Sequence, residues 1–512
     1  MRNVLLGVFF FVVILTPIPL LGAEHYSVQV GSFKEFENAA KVISSPELSS
    51  LECEINENGD LYRVTCGDFS DSVTAQSATE TIKELGYNNA FFVVKNVVAP
   101  SNQTTKTGRE APPEGSKPVK GEIFERKGGY FHPFLALGLY YTDNVFNTPD
   151  NEKSDIMLVI TPGVWVSVPR VKHKLLKIRT ENISPGGLEL SLFREKFPRR
   201  YQTYLLYRAD IEQFKKYSSE NTISHKLDGL FQYNFRGGLS IDLIDQFRKS
   251  HDLRGTGITS ELDKFNSNLF NLVFTYDMSE KFKLRGEYSN FFIDYDAERN
   301  NFRDRVDNGI NAYLYYHIRP KSSIFVEYEY LDINYDTSIV DNSNEHHLFG
   351  GLQWDITAKS KGRVKAGYGE KNFSKGGSAK NFIFEIQIDH RFTPKTSFKV
   401  AGTRRTNETT ISVSDYIFTN AIKAELLHRF TGKISGAFDL GYRNDLYKGN
   451  ITIGDVTDER DDDIYTAMIA FQYEYKDYIK ADLGYLYTRR DSNFNDFDFT
   501  NNTFFFRVTG TL

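Results

Sequence analysis

Phe382-Ile383-Phe384-Glu385-Ile386-Gln387-Ile388-Asp389 is the stretch whose reading decides the fold. In an extended chain successive side chains point to opposite faces. Phe382, Phe384, Ile386 and Ile388 therefore share one face, and Ile383, Glu385, Gln387 and Asp389 share the other. One face is apolar and the other mostly polar, so this is a strand lying between two different solvents. The pattern recurs on both sides of it. Phe282, Leu284 and Tyr288 alternate with Lys283, Arg285 and Glu287, and Val326, Tyr328 and Tyr330 alternate with Glu327 and Glu329. Val364, Ala366 and Tyr368 alternate with Arg363 and Lys365, and Ala481, Leu483 and Tyr485 with Lys480 and Asp482. Strand after strand with a polar inside and an apolar outside predicts a transmembrane β-barrel. A soluble β-sandwich or propeller also alternates. The tyrosines that end many apolar runs, and the unequal connections between runs, favour the membrane form.

The connections alternate in length. Short ones lie near Asn234–Gly238, Asp277–Lys281, Ile318–Ser322, Ile356–Gly362, Phe392–Thr396, Phe430–Lys433 and Tyr475–Tyr478. Long polar ones lie near Thr142–Ser154, His251–Asp263, Tyr295–Arg305, Tyr335–Asn344, Asn407–Ser414, Gly449–Asp463 and Arg490–Thr500, with briefer ones near Lys216–Asn221 and Ser374–Ser378. Short periplasmic turns and long outer loops give about nine outer hairpins and about 18 strands. Arg170–Arg200 holds more sequence than a turn needs, so the count could also be about 16 or 20.

The 512 residues include 30 Tyr and 42 Phe, which suits β structure and interfacial girdles. A net charge of -5 argues against nucleic acid as a partner. Residues 1–23 read as a secretory signal: Arg2, an apolar run from Val4 to Leu15, Pro17 and Pro19, then Gly22-Ala23. Residues 24–97 read as a small α+β domain of order βαββαβ. Residues 98–128, with Pro100, Pro112, Pro113 and Pro118, read as a flexible linker. The barrel is expected over 129–512. Both cysteines lie in the small domain. A hairpin turning at Gly59-Asp60 sets Cys53 opposite Cys66, and an exported compartment permits a disulfide.

The segment Tyr26-Ser27-Val28-Gln29-Val30-Gly31-Ser32-Phe33, with Asn38-Ala39-Ala40, Tyr62-Arg63-Val64, Gly67, Phe69 and Leu85-Gly86-Tyr87, resembles the SPOR domain over about 70 residues. The resemblance implies binding of peptidoglycan glycan strands stripped of their stem peptides. It also implies a binding surface on the sheet face opposite the helices, where Gln29, Ser32 and Arg63 fall. Their amide, hydroxyl and guanidinium donors suit a ligand rich in hydroxyl and acetamido groups. Asp68 stands where the family usually carries proline.

In the barrel, Pro133-Phe134-Leu135, the loop residues Asp143-Asn144-Val145-Phe146, Thr161-Pro162-Gly163 and the turns Arg319-Pro320-Lys321-Ser322 and Phe392-Thr393-Pro394-Lys395-Thr396 are similar to the putative β-barrel porin family linked to exopolysaccharide loci. That family's implied setting is the outer membrane of a Gram-negative envelope, with membrane lipid and an exported polysaccharide as partners. The final residue, Leu512, departs from the aromatic end usual for such barrels.

Arg285, Glu327, Glu329, Arg363, Lys365, Glu385, Asp389, Lys480 and Asp482 are the expected pore-lining residues. Their mixed charge predicts cross-strand pairing. It fits a pore for neutral or zwitterionic solutes, and equally a network inside a closed barrel that serves as an outer membrane–cell wall tether. A lipid-modifying enzyme is the third reading. No Gly-x-Ser-x-Gly elbow or metal-spaced cluster supports it, so neither catalysis, a metal nor a cofactor is expected. His346 and His347 are adjacent and face opposite ways. The acidic run Asp455–Asp463 lacks the spacing of a calcium loop and reads as a solvated loop.

Overall fold

The computed structural model describes residues 25–33, 36–43, 48, 53–58, 61–69, 72–85, 87, 90–95, 130–168, 200–255, 261–357, 359–453, 455–476 and 478–512. The expected signal at 1–23, the Gly59-Asp60 turn, the linker at 98–128 and most of Arg170–Arg200 lie outside the described residues. The chain divides into two units, 1–118 and 119–512.

The first unit runs β1 (His25–Phe33), α1 (Phe36–Ile43), β2 (Cys53–Asn58), β3 (Leu61–Phe69), α2 (Ser72–Glu84), β4 (Phe91–Lys95). Its four strands form one sheet in the order β2-β3-β1-β4. Alternation in β1 and β3 puts Val28, Val30, Val64 and Cys66 on one face, where they pack with Ala39 of α1 and Ile82 of α2. Ala75, Thr79 and Ile82 are the buried positions of α2, a spacing that keeps one helical face against the sheet. Cys53 and Cys66 are directly paired across β2 and β3 and joined by a disulfide, with Cα atoms 4.0 Å apart.

The second unit is a closed barrel of 18 antiparallel strands. Its outer wall is apolar as expected: Val326, Tyr328, Phe382 and Leu483 are exposed there, together with Ile324, Leu348, Leu352 and Leu440. Glu385 and Gln387 are buried on the inner wall. Among the described residues no helix is long and apolar enough to cross a membrane.

Tyrosines mark the outer wall on the side of the long loops. Tyr207, Tyr288, Tyr328, Tyr442 and Tyr485 each reach the neighbouring strand and meet His225, Asn308, His346, Asp463 and Asn502, at 2.6 to 3.1 Å. In each case the polar partner lies two residues closer to the long-loop rim than the residue paired with the tyrosine. The rings thus lie on the apolar band with their hydroxyls pointing towards water, as amphipathic side chains do at a lipid boundary. Phe392, Phe430, Tyr473, Tyr475 and Tyr478 are exposed at the opposite, short-turn rim.

The barrel closes where the last strand, Phe499–Thr511, pairs with the first, Phe131–Thr142. The Asp143-Asn144 motif reinforces this seam. Asp143 accepts hydrogen bonds from the backbone N–H of Asn502 at 2.8 Å and from its side-chain amide at 2.6 Å. Asn144 donates to the carbonyl of Thr500 at 3.1 Å, and Asn501 donates to the carbonyl of Asn144 at 2.7 Å.

One sequence expectation changes. Gly449–Asp463 is not a loop. Two long strands, Ile434–Ile453 and Val456–Lys476, carry the hairpin beyond the barrel wall. Ile411, Tyr447, Ile451, Phe494 and Phe497 pack together at its base and draw neighbouring connections against it. Four of its acidic residues, Glu459, Asp461, Asp462 and Asp463, are partnered there. Arg460 is buried against Asp462 at 2.6 Å and over the Phe497 ring, and Glu459 pairs with Lys448 at 2.7 Å.

Candidate functional site

The sheet face opposite the helices gathers the three polar residues singled out from the sequence of the small domain. Ser32 and Arg63 are cross-strand neighbours of β1 and β3, and Gln29 faces Thr65. The Gln29 side-chain amide donates to the Ser32 hydroxyl at 2.9 Å. This bond holds Gln29, which is buried, in place, while Arg63 is half-buried and Ser32 exposed. Val28, Val30 and Val64 point the other way, into the helices. The result is a rigid polar strip whose donors are fixed by sheet register, which is the geometry a glycan surface needs.

All nine expected pore residues lie on the inner wall, but they do not share one environment. Arg285, Glu327, Glu329, Arg363, Lys365 and Glu385 are buried. All of these but Arg285 belong to a continuous chain of opposite charges across the strands between residues 322 and 407. Glu327 meets Lys365 at 2.8 Å and Arg363 at 3.5 Å. Lys365 meets Glu385 at 2.9 Å, and Arg405 follows at 3.5 Å from Glu385 and 3.9 Å from Glu329. His347 then links Glu329 (Nδ1, 2.7 Å) to Glu345 (Nε2, 2.9 Å). Lys371 closes the chain between Glu345, at 2.9 Å, and Glu408.

Aromatic rings underlie the cations. Arg363 lies over Phe325 at 4.5 Å, and Lys365 over Phe349 at 4.2 Å. Ionised carboxylates only accept hydrogen bonds, so His347 satisfies both of its partners as the imidazolium. Charge this deep is tolerated only when each group is paired, and this chain pairs every member.

Arg285 stands apart and pairs with Glu287 on its own strand. Asp389 is half-buried and accepts from Gln387 at 3.3 Å. Lys480 and Asp482 sit on the more open part of the wall. Lys480 pairs with Glu474 at 2.8 Å, and Asp482 accepts from Gln472 at 2.8 Å. Around them Lys423 and Arg443 keep about half of their side-chain surface exposed (53% and 52%). The barrel thus has a closed, paired wall and an accessible polar wall.

Glu345, Lys371 and Glu408 were not singled out from the sequence, and His347 was read only as facing the opposite way from His346. The signal was present in the register. Glu345 and His347 share the inward side of one strand, and His347 pairs with Glu329 on the next. Of the two adjacent histidines, His346 faces outward to Tyr328 and His347 inward. Among the described residues no group of His, Cys, Asp or Glu is arranged to hold a metal ion.

The SPOR domain family matches residues 22–94. The family described as Putative beta-barrel porin 2 matches residues 281–511. No curated protein matches the sequence. Among solved structures, OccAB3 of Acinetobacter baumannii aligns with a TM-score of 0.40 at 8% identity, over 75% of this chain and 98% of its own. The outer membrane protein opdK of Pseudomonas aeruginosa aligns with a TM-score of 0.40 at 8% identity, over 75% and 99%. OccK3 of Pseudomonas aeruginosa aligns at 0.38 and 9% identity, over 75% and 95%.

Proposed function

Since the chain joins a SPOR domain to a porin-type outer-membrane β-barrel, we propose that it is a channel held to the cell wall, passing polar solutes or an exported polysaccharide. On this reading the SPOR domain lies in the periplasm on denuded glycan strands, the short turns face the periplasm and the long loops face outward. The protein acts as a conduit and not as a catalyst. The observation that carries the reading is the accessible polar wall around Lys423, Arg443, Lys480 and Asp482. A closed barrel gives no reason for charges to remain half exposed inside it.

The buried charge chain from Arg363 to Glu408 favours a second reading, a tether between outer membrane and wall with a sealed barrel. Planar-bilayer recordings on the full-length protein decide between the two. Stable single-channel steps support the channel. A silent but correctly folded barrel leaves the tether. The wall attachment is tested separately by sedimentation with amidase-treated peptidoglycan. Full-length Gln29→Ala/Arg63→Ala should bind more weakly by about 1–3 kcal/mol, the cost of lost polar contacts. Equal retention of wild type and variant removes the glycan assignment.

A further inference from the structure

The short-turn rim is basic over four successive hairpins. The turns carry Arg319 and Lys321, then Lys359 and Lys361, then Arg391 and Lys395, then Arg429 and Lys433. None of the four turns, 319–321, 359–361, 391–395 and 429–433, holds an acidic residue, although the chain as a whole is acidic. The opposite rim is the reverse: 455–463 holds six carboxylates and one Arg. Strand alternation sorts the basic residues. Ile318, Phe392 and Phe430 are exposed on the lipid side, so their neighbours Arg319, Arg391 and Arg429 take lumen-side positions. Arg391, Lys395, Arg429 and Lys433 line one hollow of about 450 Å³ at this rim. All four are exposed, and among the described residues none of the four is in an ion pair, unlike the charges of the interior. The rest of the hollow includes Thr396, Ser397, Gln472 and one carboxylate, Glu474, which is paired with Lys480, and no aromatic ring.

We infer that this arc is the entry site for a carboxylated polysaccharide passing from the periplasm into the barrel. The inference rests on the channel reading above and adds to it the charge of the cargo and the end at which it enters. Neighbouring hairpins are two strands apart, so the basic pairs repeat about every 10 Å and span about 30 Å. A small anion meets one turn, whereas a chain of regularly spaced carboxylates meets several. Hydroxyl and amide groups between the cations match sugar hydroxyls. The lack of aromatic rings removes the stacking platform that single-stranded nucleic acid uses. The lumen-side register of Arg391 and Arg429 favours a ligand entering the barrel over lipid headgroups around it. Exposed cations such as Arg391, Lys395, Arg429 and Lys433 at a pore mouth also raise the local concentration of an anionic cargo.

The test uses full-length protein in nanodiscs and oligogalacturonate as the anionic probe, with malto-oligosaccharide of equal length as the neutral one. Calorimetry should show binding of the anionic probe only, weakening steeply with salt. Arg391→Gln/Arg429→Gln should lower its affinity about tenfold, because a distributed electrostatic contact loses two of its charges. Unchanged heat-modifiable migration in electrophoresis shows that the variant barrel is folded. Equal affinity of wild type and the folded double variant overturns the inference. So does a double variant that keeps glycan affinity but loses its preference for phosphatidylglycerol vesicles, which assigns the arc to lipid. Bilayer recordings separate the two levels. A barrel that never conducts defeats the channel reading, and calorimetry still decides the entry site. In a conducting barrel, current block by oligogalacturonate should be stronger from the short-turn side, and equal block from both sides counts against the site.

Discussion

The inner wall of residues 322–407 and the inner wall of residues 416–492 carry the same alternation of charged and small polar residues, yet they end in different surroundings. On the first, Glu327 is fully buried and Lys365 is 1% exposed. On the second, Lys423 and Arg443 are each about half exposed. Alternation decides which side of a strand a residue faces. Whether that side is dry depends on what the residue finds two or three strands away. Lys365 finds Glu327 on one side and Glu385 on the other. Lys423 meets Glu425 at 2.8 Å and stays in contact with water. The first wall is dry and paired throughout, and the second stays accessible to water.

The sharpest way to break this contrast is to remove one partner from the closed wall. Glu327→Ala leaves Lys365 and Arg363 short of a carboxylate in a buried setting. The barrel should lose about 3–5 kcal/mol, read as a lower urea midpoint for the compact electrophoretic form. A loss below 1 kcal/mol would mean that this wall is wet. A third environment, the lipid face, calibrates the scale. Phe384→Arg places a cation where lipid cannot hydrate it and should cost about 2–4 kcal/mol in the same assay in lipid.

The tyrosine ring comes next. Tyr442→Phe keeps the apolar ring but removes the hydroxyl that Asp463 accepts at 2.8 Å. About 0.5–1.5 kcal/mol should go, the net worth of one hydrogen bond. The smallest effect belongs to the open wall. Lys480→Gln breaks only a solvated pair with Glu474 and should cost between 0 and about 1 kcal/mol. Thiol labelling gives an energy-free version of the contrast. A cysteine at Lys480 should react quickly with a small water-soluble reagent and a cysteine at Glu385 slowly. Equal rates would erase the distinction between the walls.

Much of this architecture was legible in residues such as Phe382 to Asp389. Period-two alternation identifies strands, and the polarity of their two faces identifies the membrane. Short turns such as Arg319-Pro320-Lys321 mark one rim and count the hairpins to 18 strands. The Cys53–Cys66 pairing was legible because a tight hairpin leaves little freedom in its register. The charge chain was harder to read. Lys365 and Glu327 lie 38 positions apart in sequence and on strands that are not adjacent, so their meeting depends on the register of the strand between them. The hairpin at 449–463 misled because Gly and Asp runs resemble loop composition. Its strands persist because Arg460 is buried between Asp462 and Phe497. On the small domain, the side chains of Gln29, Ser32 and Arg63 could be assigned to one face from alternation, while the Gln29–Ser32 bond needed the bend of β1 between Gln29 and Gly31.

The seam has a temporal meaning. Seventeen of the eighteen strand pairings join consecutive segments and can form as soon as both are available. The eighteenth joins Phe134 to Thr511 and Thr142 to Thr503, bringing together residues some 360–380 positions apart. Contacts this distant in sequence are slow to find because the intervening chain must first be ordered. Until they form, the first and last strands are bare edges able to pair with any other exposed strand. Asp143 and Asn144, from just beyond the first strand, meet Asn501 and Asn502 of the last, so the motif acts at the step where an assembling sheet becomes a finished ring. Loss of those contacts should appear less in the completed barrel than in the yield of chains that reach it.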